Sequence, residues 1–448
     1  MSQAAEPCLV VLSAGDERLI GRAFPVGERL RIGRRQESGS ELVIDDKLLS
    51  GKHATVKLRE DGYELVDHRS KNGSFVDGVR VERARLGEGA IVRLGVHVFE
   101  FSTTSVDGVA TAFDASVPGD ETHALVGRSR ELRQLVAHLD SLAAGSAPVL
   151  FLGEVGVGKE ACARRLHARS GRPGEFVSLA CSSTRPETAG RLLFGDPGGD
   201  DVTLARGVGG TGIVPPDVAL LVRANHGTLY LDGIDALDLV SQGRMASYLR
   251  ERALLLPSGD VAPLDVRVLA SSEVDLEPLI ADGTFSPPLA KFLSASVIEP
   301  APLRRRRIDV RDALLSAWAR LTGGRLLEAS ATSLEKLLLH DWPENVRELT
   351  GLLGRVLATH GHVEALRSAH LPSKIRERVE LSTTDQLRAS AVDLQVVPSR
   401  DELAALLTRF RGDVASLAAF FARDKRQVYR WLKRHDLKLS AFRSAPSP

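Results

Sequence analysis

Residues 149–160 read Val-Leu-Phe-Leu-Gly-Glu-Val-Gly-Val-Gly-Lys-Glu. Four apolar residues with no polar break fit a strand buried on both faces. The stretch that follows, EACARRLHARS at 160–170, has the texture of a helix. Between them lies G-x-x-x-x-G-K. A strand that passes through a glycine-rich turn into a helix N-terminus makes an anion site. Glycines let backbone N–H groups close on phosphate, and Lys159 reaches the terminal phosphates. Gly153, Glu154, Val155, Gly156, Val157, Gly158, Lys159 and Glu160 are therefore candidate nucleotide-binding residues. The Ser or Thr that usually follows the lysine and touches magnesium is here Glu160.

The same texture continues outward from this loop. Thr228–Gly233 (TLYLDG) and Val266–Ser272 (VRVLASS) are further buried-strand runs between helical stretches. They predict an α/β domain with a parallel sheet over 123–304. Residues 305–372 lose the strands and predict a small helical lid. Upstream, 103–122 are small, polar and aperiodic, which predicts a flexible linker. Residues 1–102 alternate in short runs such as LRIGRR, HATVKLRE and VHVFEF, punctuated by Gly, Asn and Asp. That is the pattern of an all-β sandwich. Downstream, 373–398 form a second weakly patterned linker, and 399–443 are helical with a basic end. The expected fold class is multidomain: a β sandwich, an α/β phosphate-loop domain with its lid, and an all-α terminus.

A net charge of +1 over 448 residues excludes a chain-wide polyanion binder, so any nucleic-acid contact needs a local basic patch. Cys8, Cys162 and Cys181 have neither metal-ligand spacing nor a disulfide framework, which fits a reducing, cytoplasmic setting. The first residues lack the basic and apolar regions of a signal peptide, and no apolar stretch is long enough to span a bilayer.

Within 1–102, three loop segments combine anion-binding groups. Arg31-Ile-Gly-Arg34 ends one strand, Ser50-Gly-Lys-His53 precedes the next, and Ser70-Lys-Asn-Gly-Ser-Phe75 marks a later turn. A sandwich can bring all three to one end. A guanidinium, a hydroxyl, an ammonium and an amide there suit a phosphate dianion and a peptide main chain. The segments resemble the forkhead-associated (FHA) domain over roughly 28–102. The resemblance implies that Arg34, Ser50 and Lys71 hold the phosphate of a phosphothreonine protein. It implies that Asn72 holds the peptide backbone and that His53 braces the loop. Gly51 departs from the Asn or Arg usual in that family.

From 123 to 372, GEVGVGKE, LFG, GTLYLD, VRVLASS, PLRRRR and WPENVREL follow in order. This resembles the AAA+ domain of bacterial enhancer-binding proteins, which remodel sigma-54 RNA polymerase. Glu160 is common at its place in that family. The resemblance implies binding of ATP or ADP with Mg2+. Asp232 would hold the metal, Arg347 would be the lid arginine, and Val126-Gly127 would lie near the adenine. The Arg304–Arg307 run is expected to hold no ligand.

Four departures fall on hydrolysis and coupling. The family's second acidic residue after the strand is here Gly233. The Asn that restrains that acid is Ala180. The two arginines given to a neighbouring subunit are Ser286 and Phe292. The GAFTGA loop that grips sigma-54 is replaced at 196–217 by DPGGDDVTLARGVGGTGIVPPD. A positioned base contributes roughly 10²–10⁴ in rate, and an arginine finger about 10³–10⁵. Losing both predicts a domain that binds nucleotide and is no longer built to turn it over.

At the end of the chain, Asp401–Phe410 and Asp413–Phe420 are amphipathic. Asp424 then precedes KRQVYRWLKRH. Two short helices with the second basic fit a helix-turn-helix. Val428, Trp431 and Leu432 would face the core. Lys425, Arg426, Gln427, Arg430, Lys433 and Arg434 would face double-stranded DNA. The spacing resembles the Fis-type domain that ends enhancer-binding proteins, with Ala422 at its turn glycine. That family dimerises, and a homo-oligomer, dimer or hexamer, is expected here.

The expectation is a transcriptional regulator gated by phosphothreonine, working with sigma-54 polymerase or paralogous AAA+ regulators. Two rivals stand beside it. One is an active ATP-hydrolysing activator using substitutes such as Asp235. The other is a phosphopeptide scaffold with vestigial DNA binding.

Overall fold

The computed structural model describes residues 6–36, 39–103, 113–117, 120, 123, 125–195, 219–255, 261–361, 363–376 and 400–409. Beyond these it describes Val414, Val428, Trp431, Leu432, His435 and Leu437. Eleven strands form the N-terminal sandwich: β1 (Cys8–Ser13), β2 (Ala23–Pro25), β3 (Arg29–Gly33), β4 (Leu42–Val43), β5 (Ala54–Arg59), β6 (Gly62–Asp67), β7 (Ser74–Val76), β8 (Val79–Val81), β9 (Arg83–Leu86), β10 (Ile91–Leu94) and β11 (His97–Ser102). One sheet has the order β2-β1-β11-β10-β7-β8, the other β4-β3-β5-β6-β9. In β3 the alternation is plain: Leu30 and Ile32 point into the core while Arg29 and Arg31 point out.

β1 and β10 break that rule. Leu9, Val11, Val92 and Leu94 fill the sandwich core, as period two requires. The opposite faces, with Cys8, Val10, Leu12 and Ile91, are buried too, in a second core shared with the lid. An antiparallel strand apolar on both faces needs a cover on each. Here the second cover is the lid.

The nucleotide domain holds a parallel sheet of β12 (Val149–Leu152), β13 (Phe176–Ala180), β14 (Thr228–Asp232), β15 (Arg267–Ser272) and β16 (Val297–Ile298), in the order β13-β14-β15-β12-β16. Its longer helices are α1 (Arg130–Leu142), α2 (Lys159–Arg169), α3 (Pro186–Phe194), α4 (Leu239–Glu251) and α5 (Pro287–Leu293). Strand β14 feeds both layers: Leu229 and Leu231 pack on one side, Tyr230 on the other. The lid follows as α6 (Asp309–Thr322), α7 (Ala331–Leu339) and α8 (Asn345–His360). Its centre is Trp318, Trp342, Leu334 and Leu338, all buried.

The expected flexible linker is corrected in part. Phe113–Asp114 pairs antiparallel with Val126–Gly127, and Ala115 is buried in the nucleotide-domain core. Phe113 and Ala115 pack this piece on the domain, and Arg165 donates to the Ala115 carbonyl at 2.6 Å. The lid also carries one short parallel pair, Glu328–Ala329 with Ala365–Leu366.

At the C-terminal end, α9 (Arg400–Arg409) supplies Leu403 and Leu407 to a small core with Val414, Val428, Trp431 and Leu432. The three residues expected to face inward are buried. The six expected DNA contacts, Lys425, Arg426, Gln427, Arg430, Lys433 and Arg434, lie outside the described residues, as does the 196–217 segment.

Candidate functional site

The phosphate loop sits where its sequence requires, between the end of β12 and the start of α2. Gly158 caps α2 with φ of +108°, so the first N–H groups of the helix open toward the loop. A cavity of about 500 Å³ lies in front of it. Of the candidate residues, Gly156, Val157, Gly158, Lys159, Glu160, Asp232 and Arg347 line this cavity, together with Val126. Gly153, Glu154 and Val155 do not; they form the back of the loop. Lys159 Nζ donates to the carbonyls of Gly153 at 2.6 Å and Glu154 at 3.0 Å. Burial lowers its pKa, and Glu273, Asp232 and Asp235 oppose that shift. A cationic amine held against carbonyls by a buried loop is poised to exchange them for phosphate oxygens.

Asp232 ends β14. Its Oδ1 accepts from Ser271 Oγ at 2.6 Å and Tyr230 OH at 3.1 Å. Ala180 is its direct neighbour across β13 and offers no amide. Gly233 follows in the left-handed region, φ +72° and ψ +56°. A side chain there is strained, and its Cβ would stand 3.2 Å from Ser182 Cβ. The backbone has thus settled into a form suited to glycine. Asp235, on the turn after it, keeps a buried Oδ1 with no hydrogen-bond partner. Ser286 and Phe292 offer no positive charge. The Ser286 N–H donates to Gln242 Oε1, and Phe292 packs on the domain core.

Several residues of this site were not singled out in the sequence. Arg306, inside the run expected to hold no ligand, lines the cavity and reaches the Val157 carbonyl at 3.4 Å. Arg304 pairs bidentately with Glu154 and holds that carboxyl below its usual range. Asn345, at φ +50°, donates to Glu154 Oε2 at 3.2 Å and the Val155 carbonyl at 3.0 Å. The Val346 N–H donates to the Gly156 carbonyl at 3.1 Å. The lid backbone comes so close that a Cβ on Gly156 would strike the Glu344 carbonyl. A run of four arginines reads as solvated charge; only the fold separates its members. His123 joins the site through Glu160, 3.3 Å away, which also pairs with Arg164 one turn on.

The three sandwich loops expected to hold an anion also meet. Ser50 is the hub: its carbonyl accepts from Arg34 N at 3.0 Å, and its Oγ accepts from Lys71 N at 3.0 Å. Asn72 Nδ2 donates to the Leu48 carbonyl at 2.7 Å. His53 is fully buried beneath, contacting Ser50 N at 3.2 Å through Nδ1 and the Gly73 carbonyl at 3.3 Å through Nε2. Burial lowers its pKa, so the neutral ring braces both loops. Asp67 accepts from Ser70 and Ser74; burial opposes its charge, yet these bonds hold the carboxyl below its usual range. Lys71 and Asn72 remain exposed.

Behind the Ser70–Phe75 turn, the Arg93 guanidinium stacks 3.6 Å over the Phe75 ring and pairs with Glu335 of α7 at 2.7 Å. Arg93 is 11% exposed and Glu335 2%. At the same junction Arg307 donates to the Gly89 carbonyl and Arg311 pairs with Glu17. Glu100 is pushed up to about 7 by burial; Arg307 opposes this, and Glu88 and Glu131 add to it.

A sandwich joined to a phosphate-loop domain and lid defines a class of modular nucleotide-loop regulator, and comparison with known proteins agrees. The profile of the FHA domain matches residues 30–95, that of the sigma-54 interaction domain 125–299, and that of the AAA+ ATPase lid domain 304–387. The nitrogen assimilation regulatory protein NtrX of Azorhizobium caulinodans is 30% identical over 325 residues, covering 70% of this chain and 69% of that protein. The sigma54-dependent transcriptional activator SfnR of Pseudomonas putida is 36% identical over 233 residues, covering 51% of this chain and 61% of that protein. Among solved structures, NtrX from Brucella abortus superposes with a TM-score of 0.50 at 25% identity, covering 70% of this chain and 69% of that one. The chain belongs to the family of sigma-54-dependent transcriptional regulators and carries an FHA domain within it.

Proposed function

We propose that this protein is a DNA-bound transcriptional regulator gated by phosphothreonine, in which the central domain binds ATP or ADP with Mg2+ without turning it over effectively. The reading rests on one observation above all. The sandwich that carries the Ser50 hub shares a core with the lid whose Asn345 and Val346 touch the phosphate loop. A ligand on the Arg34, Ser50, Lys71 and Asn72 loops therefore acts on a body continuous with the nucleotide site.

The donor set fits a magnesium nucleotide. Lys159 and the α2 N-terminus suit the phosphates, and Asp232 presents a carboxylate held in place by Ser271 and Tyr230. Among the described residues no group of three or more His, Cys, Asp or Glu side chains could cage a metal. The remaining ligands would come from phosphate and water, as is usual for Mg2+. Bound there, the metal would neutralise phosphate charge. The residues a hydrolytic step would need, a carboxylate at Gly233 and arginines at Ser286 and Phe292, are absent from this chain.

DNA binding is assigned to 399–443, where Val428, Trp431 and Leu432 are buried in one small core with Leu403 and Leu407. Partners follow from these parts: double-stranded DNA, a phosphothreonine protein, and sigma-54 polymerase or related AAA+ subunits in a dimer or hexamer. Among the described residues no helix is long and apolar enough to cross a membrane.

A phosphothreonine peptide library tests the gate. Binders are expected, and Arg34→Ala abolishes them. Equal binding of the unphosphorylated peptides contradicts the reading. For the DNA arm, a chain ending at residue 398 is expected to lose salt-sensitive retention of duplex fragments.

A further inference from the structure

The outer face of the β3–β5–β6 sheet holds a second cavity, of about 400 Å³, away from the nucleotide site. Register explains its lining. Arg29 lies opposite Lys57 and Arg31 opposite Thr55, so the outward positions of two strands form adjacent rows. Val66 extends the second row from β6, and His68 closes it with a 2.8 Å hydrogen bond to Thr55 Oγ1. Lys52 and Ser40 complete the rim. Four permanent cations thus surround one depression.

Carboxylates answer part of that charge. Glu41 pairs with Arg31 at 3.2 Å and also takes its backbone N–H, while Glu64 pairs with Lys57 at 3.7 Å. Among the described residues, Arg29 and Lys52 carry no ion pair. The depression therefore keeps a positive excess on a face that a solvated sheet would fill with mixed charge.

Its position gives the excess a use. Lys52 stands two residues from Ser50, the hub of the phosphothreonine loops. Ser40 Oγ donates to the Gly51 carbonyl at 3.4 Å, tying the rim of the depression to that same loop. Arg31 lies inside β3, opposite Thr55, and Arg34 follows the strand's end. The two sites are thus continuous along Arg31–Arg34 and Ser50–Lys52.

We infer that this depression is a specificity site for an acidic segment flanking the phosphothreonine. Two or three Asp or Glu side chains next to the phosphorylated residue would enter it, with Arg29 and Lys52 as the principal partners. The inference rests on the phosphothreonine reading and adds the charge of the peptide that the protein selects.

The test uses the full chain and three peptides sharing one phosphothreonine core: neutral flanks, acidic flanks, and acidic flanks without phosphate. Wild type is expected to prefer the acidic phosphopeptide over the neutral one by about tenfold at low salt, with the preference falling as salt rises. Arg29→Ser/Lys52→Ser is expected to erase that preference while still binding the neutral phosphopeptide, which also reports an intact fold. Equal affinity of wild type for the two phosphopeptides, or an unchanged preference in the double variant, overturns the inference and leaves the phosphothreonine reading standing. Failure of every phosphopeptide to bind wild type overturns both. Loss of duplex-DNA retention in the double variant, with peptide preference intact, assigns the cations to DNA and overturns the inference.

Discussion

The two proposed anion sites of this chain differ in what they keep. In the sandwich, the proposed phosphate loops are braced: Ser50 accepts from the backbone N–H groups of Arg34 and Lys71, with His53 buried beneath. In the nucleotide domain the residues proposed to grip phosphate are in place, while the positions that the family resemblance assigns to breaking it hold other residues. Gly233 lies in a left-handed turn against Ser182, Ala180 faces Asp232, and Ser286 and Phe292 are folded into local packing. Binding and hydrolysis draw on separate residues, so one can be kept while the other is dropped. Under the proposed function, the molecule reads two phosphorylated ligands and spends neither.

The largest effect should come from the shared element of the grip. Lys159→Ala is expected to weaken nucleotide binding at least a hundredfold by calorimetry, leaving phosphothreonine peptide binding intact. Loss of both would mean the substitution had damaged the common body, not one site.

Next comes the junction that joins the two sites. Removing one member of a buried ion pair strands the other, at about 3–5 kcal/mol. Glu335→Ala should lower unfolding stability by that order in urea, since Arg93 would stay beneath the sandwich without its partner. It should also uncouple the sites: any effect of phosphopeptide on nucleotide affinity, which must be reciprocal if present, should shrink. A variant as stable and as coupled as wild type would break the link drawn between the two regions.

Glu100 sharpens the same junction through pH. Its folded pKa, about 7, lies above the ordinary 4.5 of an unfolded glutamate. The folded state therefore holds a proton that the unfolded state has released. Stability is unaffected by this group below about pH 4.5, falls as pH rises between the two values, and stays reduced above pH 7. The shift corresponds to about 3 kcal/mol as an upper bound. Glu100→Gln should thus stabilise the protein at pH 8 by about 1–3 kcal/mol and change little at pH 4.5, measured by urea unfolding. Equal effects at both values would place Glu100 in a more solvated setting.

The smallest change is expected where intuition expects the greatest. Gly233→Glu restores the missing carboxylate in name, yet it enters a left-handed turn at about 1–2 kcal/mol of strain. The charge that builds on a transferring phosphoryl group would still lack arginines from a neighbouring subunit. Turnover should stay within a few-fold of wild type in a coupled assay. A rise of a hundredfold would show that the carboxylate alone had been limiting.

Much of this was legible in the residues. Period two in LRIGRR and HATVKLRE predicted the sandwich, and an unbroken VLFL before GEVGVGKE predicted the buried strand and its loop. The hub of Ser50, Lys71 and Asn72 was legible because each part sits in a compact loop motif. The lid contacts were not. Arg304, Arg306 and Asn345 act across 149 or more residues of chain, on the Glu154 carboxylate and on backbone carbonyls that sequence does not mark. The shared core has its trace in CLVVLS of β1, which is apolar on both faces as a strand with one wet face would not be. Phe113 and Ala115 likewise carried more docking information than the small polar residues around them.

The central claim, that grip is kept and turnover lost, is best tested by measuring ATP binding and ATP hydrolysis on one purified sample of the full chain with Mg2+. The account predicts saturable binding that Lys159→Ala removes, with steady-state turnover far below the roughly 1–10³ per second of working enzymes. Turnover of a few per second or more by the wild-type chain would contradict it.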